Sequence, residues 1–388
     1  MVVAFPTELS QLTEEWLTGA LRDAGVLDEG RVTEAVVEPM GAGHGFMGSL
    51  AQVHLQYNTA VSGAPSSVVA KVATDDEGAR ELARRLNLYA HEIRFYTEIA
   101  PQAGAEAPAC YFAGIDEESG AFLLVLEDLS ATRMGDQVVG ADLDDTRAVL
   151  AALARFHAHW WNAEHQPELE WLNRPADLRS SVAEEFRAAL PAFREAYGAS
   201  HPGAVSIADQ LEAIIDDVTG QEPQPPLTIT HGDLRLDNIF FAESGSARVI
   251  DWQMAALDPA GTDVARFMAE SVPTELRRQH EDALLRFYYE QLLEHGVTDL
   301  SLGQLRYSYR EGMVRQLLIS VIAAANIEFS DGRGADLGEA MLGRLEAALV
   351  DLRAPRLLRV GAWVFRVQRV GRKLWRAVPW LGARWRRS

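Results

Sequence analysis

Hydrophobic spacing along the chain changes period several times. Leu9, Leu12, Trp16, Leu17 and Leu21 recur at helical spacing, with Thr7 as a cap and Gly25 as a stop, so a helix is predicted over 7–27. Strand patterns follow at 31–39, 50–57 and 67–73. Four glycines, at 41, 43, 45 and 48, lie between the first two, and a turn over 58–66 precedes the third. A helix is predicted from about Asp76 to Ile99, then strands at 109–115 and 121–126 around the turn 116–120. From Leu143 the period is helical again, and Val149, Leu150, Leu153, Phe156, His157 and Trp160 form one stripe. Two helices are expected within 165–222, before the stiff proline-rich connector 221–226 and a strand over 227–230. Further helices are predicted at 264–270, 274–295, 301–328 and 335–351. This order describes an α+β chain: a small five-stranded sheet with one main helix, then a larger, mainly helical part.

The stretch Thr230 to Gln253 interrupts the helical part. Ile239-Phe240-Phe241-Ala242, the polar turn 243–246 and Ala247-Arg248-Val249-Ile250 read as a hairpin. Its pairing brings Asn238 and Asp251 together at the open end, because residues opposite one another on two strands stand about 5 Å apart. An amide oxygen and a carboxylate suit a Mg²⁺ ion bound to nucleotide phosphates, which takes few protein ligands. Asp233, on the loop leading in, is placed to accept a hydroxyl proton.

Composition sharpens one residue. The chain has 36 basic side chains, yet only Lys71 and Lys373 are lysines. A guanidinium cannot replace an ammonium in a narrow site, so Lys71, inside the apolar strand 67–73, is a candidate before any motif is considered. The net charge of −20 argues against nucleic acid as a partner. A single cysteine, Cys110, excludes an internal disulfide. With no signal-like N terminus and no long apolar run, a cytoplasmic protein is expected.

The glycine loop, the lysine strand, His231-Gly232-Asp233 with Asn238 five positions on, and Asp251-Trp252-Gln253 resemble the aminoglycoside phosphotransferase superfamily. Within it the ecdysteroid-kinase-like (choline-kinase-like) branch is the nearer match, supported by Glu92-Ile93-Arg94-Phe95-Tyr96. The resemblance covers about residues 35–270. It implies a two-lobed protein-kinase-like fold, with an N-lobe over 1–128 and a C-lobe over 129–352. It implies ATP and Mg²⁺ as cofactors, and a small molecule with a hydroxyl as phosphoryl acceptor. Asp233 would be the catalytic base, with Arg235 facing the transferred phosphate, and Asn238 and Asp251 would hold the metal. Gly43, Gly45, Ser49 and Lys71 would meet the phosphates. Glu92 would orient the lysine, with Glu81 and Glu98 as competing carboxylates. Glu127 to Leu129 would form the hinge that meets adenine. Asp263 would brace the catalytic loop; a simple helix cap explains it equally well. His157 and His159 point to different helix faces, which favours packing over metal binding.

Two other functions fit the same residues: a nucleotide-binding regulator or scaffold without turnover, and a protein kinase. The HGD and DWQ variants and the lack of an Ala-Pro-Glu segment count against the second. The acceptor is open among aminated sugars, steroids, hydroxy acids and antibiotics. The tail, 353–388, has eleven basic and no acidic residues, leaving −31 on 1–352. Trp363, Val367, Val370 and Leu374 share one helical face and Arg366, Arg369, Lys373 and Arg376 another. Such a helix suits docking on the acidic body or a partner subunit, or on an anionic membrane surface, so a position at the inner face of a membrane is the alternative to a free cytoplasmic one.

Overall fold

The computed structural model describes residues 5–40, 48–103, 107–172, 176–326, 332–356 and 358. Gly43 and Gly45 of the glycine loop, and the amphipathic face of the tail, lie outside them. The chain opens with a 3-10 turn, Leu9–Gln11, and helix α1, Glu14–Asp23. Thr13 rather than Thr7 caps α1, its hydroxyl accepting from the Trp16 amide, and Glu14 and Glu15 favour the positive helix start. Gly25, with φ of 72°, closes the other end.

Strands β1 (Val32–Pro39), β2 (Gly48–Tyr57), β3 (Ser67–Ala73), β4 (Cys110–Asp116) and β5 (Ala121–Glu127) form one antiparallel sheet in the order β1-β2-β3-β5-β4. The segment predicted as one helix over 76–99 breaks. Asp76 caps α2 (Glu77–Arg85), and Asn87 turns left-handed at φ 54° before α3 (Leu88–Arg94). A π turn, Phe95–Ile99, and the short α4 (Ala100–Ala103) complete the segment.

Alternation along β3 divides the sheet faces. Val68, Ala70 and Val72 pack with Val53, Leu55, Leu123 and Val125 under Leu17 and Leu21 of α1. Lys71 therefore projects to the opposite face, the side of α3.

Beyond the sheet come β6 (Arg133–Met134), α5 (Leu143–His159), α6 (Ala176–Tyr197), α7 (Pro202–Glu212) and α8 (Ile215–Thr219). Next are β7 (Thr228–Thr230), β8 (Ile239–Phe241), β9 (Ala247–Val249) and β10 (Ala256–Asp258). Then α9 (Gly261–Glu270), α10 (Thr274–Glu294), α11 (Leu302–Asn326) and α12 (Arg333–Asp351) follow. The small strands pair as β6-β8-β9 and β7-β10, framing the loop that carries Asp233. Val149, Leu150, Leu153, Phe156 and His157 of α5 and Trp160 just beyond it are all buried, whereas His159 is exposed. No helix among the described residues is long and apolar enough to cross a membrane.

Candidate active site

Lys71 is 6 % exposed and Glu92 1 %. Lys71 Nζ donates to both Glu92 oxygens, at 2.9 and 2.7 Å, and to Asp251 Oδ1 at 3.0 Å across 180 residues of sequence. Burial pushes this ammonium down, but Asp251 and then Glu92 outweigh it and hold it charged. Burial also lifts the Glu92 carboxyl to about 7, with Lys71 pulling against it. The rival carboxylates are occupied elsewhere: Glu81 pairs with Arg84 and Glu98 with Arg94. Gly48 lets the strand after the glycine loop lie close to this lysine, since a Cβ there would meet the Val72 carbonyl at 2.8 Å and Lys71 carbons at 3.3 Å. Ser49 pairs with Val72 one position further on.

The loop that carries Asp233 is held from below. Asp263, fully buried in the first turn of α9, accepts from the His231 amide at 2.6 Å and the Gly232 amide at 3.0 Å. Its Oδ2 also lies 3.3 Å from His157 Nε2, while His157 Nδ1 meets the Tyr288 hydroxyl at 2.5 Å. Asp263 is thus a brace; no side-chain cap forms at the start of α9. Gly232 has φ of 77°, and a Cβ there would collide with the Met254 carbonyl, so only glycine fits. His231 Nδ1 accepts from the Asp233 amide at 3.1 Å, which leaves Nε2 to donate to the Ile250 carbonyl at 2.9 Å. Burial pushes the Asp263 carboxyl up, but His157, His231 and the His231 amide bring it below the ordinary range.

Asp263→Ala strands two backbone donors in a dry interior, which is expected to cost about 3 kcal/mol or more. Chemical denaturation of the variant measures this. Because the folded pKa is depressed, the contribution is complete above the usual carboxylate range and is lost as pH falls through the lowered value. The stability gap between wild type and variant should therefore narrow in acid.

The hairpin forms with Ile239 opposite Val249, and the Ile250 amide donates to the Asn238 carbonyl at 2.9 Å. Asn238 Nδ2 donates to the Asp233 carbonyl at 3.0 Å and approaches Asp233 Oδ2 at 3.4 Å, which leaves its Oδ1 as the atom able to ligate a cation. Asp251 sits left-handed at φ 67°. Trp252 fixes that turn: its ring stacks on Phe95 at 4.1 Å, packs against Phe156 and His231, and donates to the Val249 carbonyl at 2.9 Å. Such stacking contributes about 0.5–1.5 kcal/mol beyond burial. Among the described residues Asp251 Oδ2 accepts only the long contact from Gln253, 3.3 Å. Among the described residues no cluster of three His, Cys, Asp or Glu side chains forms a metal cage. Asn238 and Asp251 instead fit an ion that draws its other ligands from phosphate and water.

Arg266, in α9, contacts Asp233 Oδ1 through Nη2 and donates to Gln316 Oε1 at 2.6 Å. Burial raises the Asp233 carboxyl, but Arg266 and then Arg235 bring it below the ordinary range. Arg235 itself lies 3.7 Å from Asp233 and 3.3 Å from Asp237. The sequence reading missed Arg266; its signal was a charged i,i+4 pair, Arg266 and Glu270, enclosing the apolar run Phe267-Met268-Ala269. It also missed Gln137, fully buried, whose Oε1 accepts from the Leu236 amide at 2.6 Å.

At the junction between sheet and helices, Glu127 receives two hydrogen bonds from Arg248 of β9, at 2.7 and 2.6 Å. The expected hinge residue thus also ties the sheet to the hairpin. Leu129 is buried, and its carbonyl accepts from Thr132.

No curated protein matches the sequence. Among solved structures, choline kinase from Cryptosporidium parvum superposes with a TM-score of 0.54 at 15 % identity, over 91 % of this chain and 100 % of that one. A protein assigned to the aminoglycoside phosphotransferases, from Ralstonia eutropha, gives 0.50 at 17 %, over 87 % and 98 %. These likenesses show the fold, α+β and protein-kinase-like. The profile of the ecdysteroid kinase-like family matches residues 42–300, well over half of the sequence. With Lys71, the loop that carries Asp233 and the hairpin all inside that span, the chain belongs to the ecdysteroid kinase-like family.

Proposed function

We propose that the protein transfers the γ-phosphoryl group of ATP to a hydroxyl of a small molecule. The observation that carries this reading is the contact of Lys71 with both Glu92 and Asp251. It joins a phosphate-binding lysine to a metal-binding aspartate across the cleft. Lys71, steadied by Glu92, positions phosphate oxygens, and Asn238 and Asp251 would hold Mg²⁺. That ion supplies charge neutralisation on the phosphates. Asp233 orients the acceptor hydroxyl and takes its proton at a carboxylate oxygen; Arg235 lies beside it, able to face the transferred group.

Phosphoryl transfer needs little from a protein beyond positioning and charge stabilisation. Lys71, Glu92, Asp233, Asn238 and Asp251 are brought together for that, which favours turnover over a scaffold role. The test incubates the protein with γ-labelled ATP and a panel of small hydroxyl compounds. Label moved to one of them, only when Mg²⁺ is present, is the expected result. Nucleotide binding with no transfer across sugars, steroids, hydroxy acids and antibiotics would favour the scaffold.

A further inference from the structure

A pocket opens to solvent between α6, α9, α11 and α12, with about 430 Å³ of open space including its mouth. Its wall is apolar, from Phe193, Tyr197, Ile319, Ala323, Met341 and Leu342. Its floor is polar, formed by Arg266, Glu270, Gln316 and Ser320, and Arg266 links it to the loop that carries Asp233. Arg266 reaches Asp233 with one nitrogen and Gln316 with another. Gln316 Nε2 donates to Glu270 Oε1 at 2.6 Å, and the Ser320 hydroxyl adds a contact at 3.3 Å.

Glu270 is 1 % exposed, and among the described residues its second oxygen, Oε2, has no hydrogen-bond partner; Arg266 Nη2 stands off at 3.8 Å. An unmatched carboxylate oxygen in a dry site is costly, so a site that keeps one is suited to a ligand that completes it. Burial raises the Glu270 carboxyl while Arg266 draws it back, as expected for an acid short of donors. One guanidinium serves both Asp233 and Glu270. Because both carboxylates approach the same nitrogen, they stand within roughly 7 Å of each other, a span of about one six-membered ring.

Resting on the kinase reading, we infer that this pocket takes the acceptor and that Glu270 Oε2 selects it by a hydrogen bond. The ligand class is a mainly apolar skeleton carrying the hydroxyl to be phosphorylated and, about one ring away, a second donor, either hydroxyl or amine. The apolar wall holds the skeleton, Asp233 receives the reacting hydroxyl, and Glu270 receives the second donor.

Three probes with one skeleton test this: cyclohexanol, trans-1,4-cyclohexanediol and trans-4-aminocyclohexanol. Each is titrated by ligand-observed NMR into the full chain with Mg²⁺ and a nonhydrolysable ATP analogue. The diol and the amino alcohol should bind at least about tenfold more tightly than cyclohexanol, the scale of a hydrogen bond to a charged group. Their relative order distinguishes hydroxyl from amine. Glu270→Gln should reduce the advantage of the amine, and Glu270→Met that of both. Ile319→Trp, at the exposed edge of the wall, should weaken all three probes while leaving the nucleotide analogue bound. Equal binding of the three probes, no binding of any, discrimination that survives Glu270→Met, or indifference to Ile319→Trp would each overturn the inference. Failure of wild type to bind the analogue would instead strike the kinase reading beneath it.

Discussion

Asp233→Asn should lower phosphoryl transfer by about 10²–10⁴-fold, the usual contribution of a positioned general base. Mg²⁺-ATP affinity should stay within about twofold, because in the proposed reaction Asp233 faces the acceptor while Asn238 and Asp251, which would hold the metal, are unchanged. Single-turnover rates and nucleotide titrations on the same preparations separate the two effects. A large loss of nucleotide affinity would mean that Asp233 binds the metal instead. The pH profile adds a sign. Arg266 and Arg235 hold the Asp233 carboxyl below the ordinary range, so wild-type activity should persist until the pH falls beneath that range. Arg266→Gln removes the larger opposing charge, which should raise the carboxyl and move the acid limb to higher pH. A merely structural Arg266 would reduce activity and leave the limb in place.

Lys71→Arg should lower activity at least about tenfold, equivalent to about 1.4 kcal/mol in the barrier. The ammonium fits between Glu92 and Asp251 with three short contacts, and a planar, longer guanidinium cannot reproduce them. The site is buried, so overpacking should also cost about 1–3 kcal/mol of stability. Activity is therefore compared well below the melting temperature of both proteins, where each is fully folded. The loss should fall on the KM for ATP and on turnover together. Wild-type kinetics in this variant would remove Lys71 from the phosphate site.

Much of the site was legible because its chemistry is local in sequence. Asn238 and Asp251 flank the open end of a short hairpin, Asn238 facing Ile250 one position before Asp251, and turn residues with strand alternation reveal a hairpin directly. Lys71 stood out because arginine fills almost every other basic position, and Glu92 because the helix beyond the lysine strand returns to it. Non-local contacts were harder. Arg266 meets Asp233 from 33 residues away, Gln137 meets Leu236 from 99 and Arg248 meets Glu127 from 121; each is set by how helices and sheet pack rather than by spacing. The role of Asp263 stayed divided between cap and brace, since both place an acid in the first turn of α9. The predicted helix over 76–99 failed at Asn87, where the apolar period continues through a left-handed residue. At the N terminus the expected cap, Thr7, falls too early, because the 3-10 turn Leu9–Gln11 intervenes before Thr13 caps α1.

In the proposed function one Mg²⁺-nucleotide site is assembled from Lys71 on the sheet and from Asn238 and Asp251 beside the hairpin. Titration calorimetry with ATP, with Mg²⁺ and with the metal removed by chelation, tests it directly on wild type and Asp251→Asn. Wild type should bind ATP at least about tenfold more tightly when Mg²⁺ is present, and Asp251→Asn should lose most of that difference. Equal affinity with and without Mg²⁺ in wild type, or an Asp251→Asn variant that keeps the full metal dependence, would contradict the account.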